Sequence, residues 1–241
     1  KKFHIKDGIV YFIPSPGKQA LDYKEARKIM REQEISKRWL EYFSKKELAA
    51  LHKEWNWMLS VIKKDKNTVH LDFATGTGRF LINIVSKTEG EIVALDFGYS
   101  TCREFPYFLK KIRKYNRVSI VCADARRMPF KNGVFDSATS WAGFGEQKME
   151  GAIKEARRVL KNRAYLAASG IHYQRGSKSF LIAEKHHIQF ITKETIIEAL
   201  KKAGFRNVRH KTFFQGRWNE KGSYLPIFGD FYSTYAIRAK R

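Results

Sequence analysis

Cysteine is scarce in this sequence of 241 residues, in which only Cys102 and Cys122 occur. The two cysteines lack the spacing of metal ligands, and a single pair cannot form the framework of a disulfide-stapled domain. A chain of this length buries a sizeable hydrophobic core without cross-links. We therefore expect a reducing cytoplasm as its location and no metal site.

Long apolar stretches are also missing. No run of apolar residues reaches the roughly 18 residues that a membrane-spanning helix needs. The sequence therefore predicts no membrane partner, and the function has to be sought in a globular α/β pattern.

Acidic residues are few relative to basic ones, because 24 Asp and Glu accompany 47 Lys and Arg, for a net charge of +23 at pH 7. Most of the excess lies outside residues 67–145. Such a surplus is typical of nucleic-acid binders, and it also fits a lysine-rich solvated surface. Composition alone leaves both interpretations open.

The stretch VHLDFATGTGRF, residues 69–80, organises the rest of the chain. It predicts a short apolar strand, a glycine-rich turn and then a helix. Gly76 and Gly78 allow a sharp turn and a close approach of the backbone to a ligand, and the start of a helix suits an anionic group. No Gly-Lys-Ser/Thr follows and the G-x-G-x-x-G spacing is absent, so a P-loop or a nicotinamide site is the weaker interpretation.

Two more predicted strands end in acids. The strand Ile92 to Leu95 leads into Asp96, which lies 18 residues after Gly78. This is close to the roughly 20-residue offset at which an acid meets a ribose hydroxyl in βαβ nucleotide sites. The strand Val118 to Cys122 is followed by Asp124. These acids fall at the strand ends where open α/β sheets bind their ligands.

Four ordered motifs, LDFATGTG, ALDFG, ADARRMPFKNGVFD and EARRVLKNR, resemble those of the class I S-adenosylmethionine-dependent methyltransferases. Within that family they are similar to the group that includes the ubiquinone/menaquinone C-methyltransferases. The resemblance covers about residues 67 to 210. One departure is Ala74, where the family often has glycine.

The resemblance implies S-adenosyl-L-methionine as cofactor and assigns its site. The methionine portion would be framed by Asp72, Ala74, Gly76 and Gly78, the ribose by Asp96, and the adenine edge by Asp124 and Ala125. Further cofactor-binding positions on or beside the motifs are Phe73, Thr75, Phe97 and Ser140.

The fold class expected is α/β, a Rossmann-like doubly wound seven-stranded sheet with an antiparallel last strand. Residues 1–66 would form an N-terminal hairpin and helical cap, and residues 67–241 the methyltransferase domain. In the cap, Asp7-Gly8 predicts a hairpin turn, and Ser44 with Glu47 predicts a capping box that opens a helix running to about Ile62.

Substrate and catalytic candidates follow from position. Trp39, Trp141, Phe144 and Tyr173 are the expected substrate-side residues, and Glu146 and His172 are the candidate general bases. The Asn/Asp-Pro-Pro-aromatic tetrad of amino-methylating nucleic-acid enzymes is missing, since the corresponding place reads SWAGFG. Cys122 lies on the wrong strand for a cytosine C5 nucleophile.

Three functions remain at this point. The first is methyl transfer to a small-molecule acceptor, and the second is methylation of tRNA or rRNA through the basic surface. The surface residues for the second are Lys110, Lys111, Arg113 and Lys114, with the pair Arg126-Arg127. The third is a binding protein that keeps the cofactor fold without catalysis.

Overall fold

The computed structural model describes residues 4–6, 8–12, 43–76, 78–99, 101–103, 109–110, 115–144, 149–219 and 225–241. Within these ranges the strands are β1 (His4–Lys6), β2 (Ile9–Tyr11), β3 (Val69–Phe73), β4 (Glu91–Asp96), β5 (Val118–Cys122), β6 (Phe135–Ser140), β7 (Leu160–Tyr173), β8 (Arg206–Arg217) and β9 (Phe231–Lys240). The helices are α1 (Lys45–Leu59), α2 (Leu81–Lys87), α3 (Glu150–Val159), α4 (Lys178–Lys185) and α5 (Lys193–Lys202). No helix in these ranges is both long and apolar enough to cross a bilayer.

The strands form one sheet in the order β1-β2-β5-β4-β3-β6-β7-β9-β8. Its central strands β5, β4, β3, β6 and β7 are parallel, whereas β9 runs antiparallel to both β7 and β8. This arrangement confirms the expected Rossmann-like α/β class. The sheet has nine strands rather than seven, because the N-terminal hairpin, expected as part of a separate cap, joins it by pairing Ile9 of β2 with Ile120 of β5 in parallel.

Apolar runs explain why the central strands lie inside. Leu71, Phe73 and Leu95 are fully buried, as strands covered on both faces require. Two core clusters cover the two faces of the sheet: one contains α3 and α5 residues such as Ile153 and Leu200. The other contains residues of α1, α2 and the hairpin, among them Met58.

Helix α1 carries the capping box that the sequence predicts. The Ser44 hydroxyl accepts the backbone N–H of Glu47 at 3.2 Å, and the Glu47 carboxylate accepts the backbone N–H of Ser44 at 2.7 Å. The other carboxylate oxygen of Glu47 accepts the Tyr232 hydroxyl at 2.9 Å, which ties the helix to β9. The proposed division at residues 66 and 67 stays a prediction.

Helix α4 begins after Ser177, whose hydroxyl accepts the backbone N–H of Phe180 at 3.1 Å. The adjacent His186 and His187 follow this helix, and His187 adopts a positive φ of 56°. In the part of the chain described, His, Cys, Asp and Glu side chains nowhere form a group of three that could hold a metal ion.

Candidate active site

A cavity of about 740 Å³ opens at the carboxyl ends of β3, β4, β5 and β6. This is within the size range of ligand pockets for drug-sized molecules, roughly 300–1,000 Å³. Its lining residues come from the loops that follow these strands: Ala74, Thr75, Gly76, Arg79, Leu95, Asp96, Phe97, Gly98, Asp124, Ala125, Arg126, Trp141, Ala142, Gly143 and Met149. The structure therefore brings together most of the residues that the motifs predict.

The glycine-rich loop after β3 has three positive-φ residues within five positions. They are Ala74 at 51°, Gly76 at 56° and Gly78 at 75°. Glycine adopts such angles without strain, whereas Ala74 does not. A Cβ built on Gly76 would meet no atom within 4 Å. The left-handed backbone explains why the resembled family often has glycine where this chain has Ala74.

Asp96 lies at the wall of the cavity, at the end of β4. Its carboxylate accepts the backbone N–H of Gly76 at 2.7 Å and that of Gly98 at 2.8 Å. A carboxylate has about four acceptor positions, so it can accept ligand hydroxyls beside these two amides. The predicted ribose acid therefore also organises the loop opposite it.

Asp124 follows β5 on the same side of the cavity. Its carboxylate accepts the Arg126 guanidinium at 2.8 Å and the Arg126 backbone N–H at 2.8 Å. These bonds lower the pKa of Asp124, which keeps the carboxylate ionised. Arg126 is therefore a wall residue paired with a cavity acid, and not a free member of a basic surface. Ala125 lies beside them, nearly buried.

Asp72 lies beneath the loop and does not line the cavity. It is 2% exposed, and its carboxylate accepts the Thr139 hydroxyl at 2.6 Å. The Thr139 oxygen is also 2.9 Å from Nε2 of His70, whose Nδ1 is 2.8 Å from the Ser137 hydroxyl. Burial raises the pKa of Asp72 to about 7 and lowers that of His70 to about 3. This polar chain supports the loop from below.

Several predicted site residues occupy other places. Phe73 is fully buried, and Phe144 packs between it and Phe190 at ring distances of 5.9 and 5.8 Å. Tyr173 belongs to a separate core cluster with Tyr232. Neither Phe144 nor Tyr173 lines the cavity, because both side chains turn into apolar cores rather than toward the strand ends.

Of the remaining candidates, Trp39 and Glu146 lie outside the described residues. His172 lies near the end of β7, and its ring reaches the start of α5, where Nδ1 accepts the backbone N–H of Lys193 at 3.3 Å and lies 3.4 Å from the Glu194 carboxylate. Burial lowers the pKa of His172 despite that carboxylate. His172 is not among the cavity-lining residues. The Ser140 hydroxyl is buried and has no hydrogen-bond partner among the described residues.

Glu54 of α1 contacts the cavity wall and is not among the residues that the sequence predicts for the site. Trp141 of the cavity wall donates its indole N–H to Oε1 of Glu54, on α1, at 3.1 Å. Glu54 is only 3% exposed. A signal was present, because Glu54 follows Leu51 by three positions and precedes Met58 by four, so it falls on the apolar stripe of its helix.

Part of the chain is similar to known methyltransferases. The family described as "Methyltransferase domain" matches residues 71–163. The ubiquinone/menaquinone biosynthesis C-methyltransferase UbiE of Citrifermentans bemidjiense is 36% identical over 97 residues, which cover 38% of this chain and 40% of that protein. The chain thus matches less than half the length of this curated relative.

Solved structures extend the likeness of fold. The [4+2]-cyclase SpnF has a TM-score of 0.64 at 16% identity, with 78% of this chain and 80% of that chain covered. The geranyl diphosphate C-methyltransferase of Streptomyces coelicolor, solved with geranyl diphosphate and S-adenosyl-L-homocysteine, has a TM-score of 0.62 at 10% identity, with 79% of this chain and 80% of that chain covered.

The fold and the cavity define a nucleotide-type site at the strand ends of a Rossmann-like sheet. Residues 71–163, which carry most of this site, match a family of methyltransferase domains.

Proposed function

We propose that this protein is an S-adenosylmethionine-dependent methyltransferase that acts on a small-molecule acceptor. The observation that carries the proposal is the single cavity wall that joins the glycine-rich loop, Asp96 and Asp124. Its size suits a nucleoside with an amino-acid arm, and its two acids offer hydrogen-bond acceptors at separate points.

The residues present fit this cofactor. The loop of residues 74–76 offers backbone with positive φ and space for close approach. Asp96 would accept the vicinal hydroxyls of the ribose, and Asp124 with Ala125 would face the edge of the adenine. The buried Ser140 hydroxyl, with no partner among the described residues, adds a polar group behind Gly143. When bound, the cofactor supplies a methyl group already activated by a sulfonium.

The chain has correspondingly little chemistry to provide. Its main task is to orient the acceptor, since holding two reactants in line removes much of the entropic barrier. Trp141 at the wall offers an aromatic face for an apolar acceptor. The curated relative is named for ubiquinone/menaquinone biosynthesis and a structural relative for geranyl diphosphate, which supports a small molecule over RNA. The [4+2]-cyclase has a similar fold, so a reaction other than methyl transfer is the alternative function.

Calorimetry with S-adenosylhomocysteine, combined with transfer of labelled methyl to small-molecule extracts, tests the proposal. We expect saturable binding and transfer by the wild type. Asp96→Ala should weaken binding by about 1–3 kcal/mol, because ligand hydroxyls lose their acceptor. Asp136→Ala is the matched control, since Asp136 accepts the backbone N–H of Val69 at 3.0 Å at the other end of β3.

Wild-type protein that binds no S-adenosylhomocysteine would overturn the cofactor assignment. Binding without transfer to any extract would favour the inert binding protein instead. Equal loss in the Asp96 and Asp136 variants would show that the effect is one of stability.

A further inference from the structure

Glu54 is a buried carboxyl group for which the proposed transfer chemistry has no use. It lies on α1, which packs against β7 and β9, and its side chain is only 3% exposed. Its carboxylate accepts the Trp141 indole N–H, after β6, at 3.1 Å. The Ser169 hydroxyl on β7 and the Thr234 hydroxyl on β9 lie near enough to lower its pKa.

The partners of Glu54 act as donors. An indole N–H can only donate. The Ser169 hydroxyl, which lies beside Glu54, accepts the backbone N–H of Ala142 at 3.1 Å. Glu54 thus contacts the cavity wall directly at Trp141, and its neighbour Ser169 contacts the wall at Ala142. Burial raises the pKa of Glu54 to about 7, although the Trp141 indole and the nearby Thr234 and Ser169 hydroxyls lower it.

We propose that Glu54 is a positioning residue of the cofactor pocket, which fixes Trp141 and Ala142 at the wall and whose negative charge behind that wall makes the pocket prefer the cationic sulfonium ligand to the neutral thioether product. The inference rests on the proposed function. S-adenosylmethionine carries one more positive charge than S-adenosylhomocysteine, and a charge in a water-poor interior acts strongly on a nearby ion. The arrangement would hold the substrate form and favour release of the product.

Other titratable groups lie around the same region, and their effect on the ligand preference has to be distinguished from that of Glu54. Asp72 on β3 and Asp96 after β4 lie on the cofactor side, and Tyr235 on β9 is coupled to Glu54 electrostatically. Arg79 stands at the cavity wall before α2, and Arg238 on β9 packs over Trp57 of α1. On α1 itself the neighbours are His52, Lys53 and Glu47. A variant of Glu54 alone leaves all of these in place.

The test is calorimetric titration of S-adenosylmethionine and S-adenosylhomocysteine at pH 6 and pH 8. The measured quantity is the ratio of their dissociation constants for the wild type, Glu54→Gln and Glu47→Gln. Gln keeps an oxygen for the Trp141 indole. Glu47 is the matched control, two turns earlier on the same helix and bonded to Tyr232.

At pH 8, where Glu54 is ionised, the preference for the sulfonium should fall about fivefold in Glu54→Gln and stay unchanged in Glu47→Gln. At pH 6, where the Glu54 carboxyl is protonated, the wild type should approach Glu54→Gln. An unchanged preference in Glu54→Gln at pH 8 would overturn the inference.

A second variant covers the case in which Glu54→Gln does not fold. Thr234→Val removes a hydroxyl that lowers the pKa of Glu54, so the pH midpoint of the preference should move upward. An unmoved midpoint would contradict the inference. Absence of binding by both ligands to the wild type would sink the proposed function as well, whereas binding of both without any preference removes only the role of Glu54.

Discussion

The Asp96 carboxylate accepts the backbone N–H of Gly76 at 2.7 Å, so the acid expected to hold the ribose also holds the loop opposite it. The backbone N–H of Thr75 adds a bond to the Leu95 carbonyl at 3.2 Å. The glycine-rich loop is therefore tied to β4 at two points. Its conformation is set by these bonds even at residues for which the backbone angles are unfavourable.

Ala74→Gly and Gly76→Ala should change the free energy of unfolding in opposite directions. Ala74 has a φ of 51° and Gly76 a φ of 56°. Glycine at such angles avoids a strain of about 1–2 kcal/mol, partly offset by its larger entropy in the unfolded chain. We expect a gain of about 0.5–1 kcal/mol for Ala74→Gly and a similar loss for Gly76→Ala in urea denaturation. Changes of the same sign would contradict the explanation.

Tyr232→Phe and Tyr11→Phe make a second matched pair. Both side chains are buried, at 2% and 6% exposure. The Tyr232 hydroxyl donates to Glu47, whereas the Tyr11 hydroxyl has no partner in the ranges that the structure covers. Tyr232→Phe should cost about 1 kcal/mol of unfolding free energy, and Tyr11→Phe should be close to neutral. Thermal or chemical denaturation measures both, and an equal loss in the two variants would refute the assignment.

The His70 imidazole predicts how stability depends on pH. Burial lowers its pKa to about 3 in the folded protein, so the unfolded chain binds its proton first as the pH falls below 6.5. The stability from His70 is present above pH 6.5 and is lost between pH 6.5 and 3, at about 1.4 kcal/mol per pH unit. The advantage of the wild type over His70→Gln should therefore be about 2 kcal/mol smaller at pH 5 than at pH 7.

Urea denaturation of both proteins at several pH values measures this difference. Asp72 and Glu54, whose raised pKa values act in the opposite direction, are common to both proteins and cancel in the comparison. A difference that stays constant with pH would show that the pKa of His70 is the same in the folded and unfolded states.

RNA binding should be weak if the acceptor is a small molecule. Of the basic helix residues, Lys110 is exposed, whereas Lys111, Arg113 and Lys114 lie outside the described residues, and Arg126 is bound to Asp124. A net charge of +23 still attracts RNA without specificity. We expect association with tRNA or rRNA fragments at about 50 mM salt that is lost at about 200 mM. Saturable binding at the higher salt, with methyl transfer, would instead establish RNA as the acceptor.

The local part of the site could be predicted from sequence, and the part made by distant contacts could not. The glycine loop, Asp96 and Asp124 follow from strand ends and spacing, which are read along the chain. The bond from Trp141 to Glu54 joins residues 87 positions apart, and that from Thr139 to Asp72 joins residues 67 apart. Such pairs depend on strand order and helix placement, which no local pattern encodes.

Side-chain direction limited the prediction in the same way. Phe144 follows the end of β6, which made it a candidate for the rim, but its ring packs against Phe73 and Phe190 in the core. The number of strands in the sheet is larger than predicted for a related reason. The hairpin joins the sheet through the pairing of Ile9 with Ile120, and these segments lie more than 100 residues apart in the sequence.

The two outer strands of the nine-stranded sheet bear on how copies of this protein meet each other. At one side β1 is only three residues long and ends in Lys6. At the other side β8 exposes Arg206, Arg209, His210 and Lys211. Short and cationic edges discourage strand addition, because a second copy finds few backbone groups to pair with or meets charges of its own sign. The surplus of lysine and arginine at these edges thereby disfavours edge-to-edge aggregation of the folded chain.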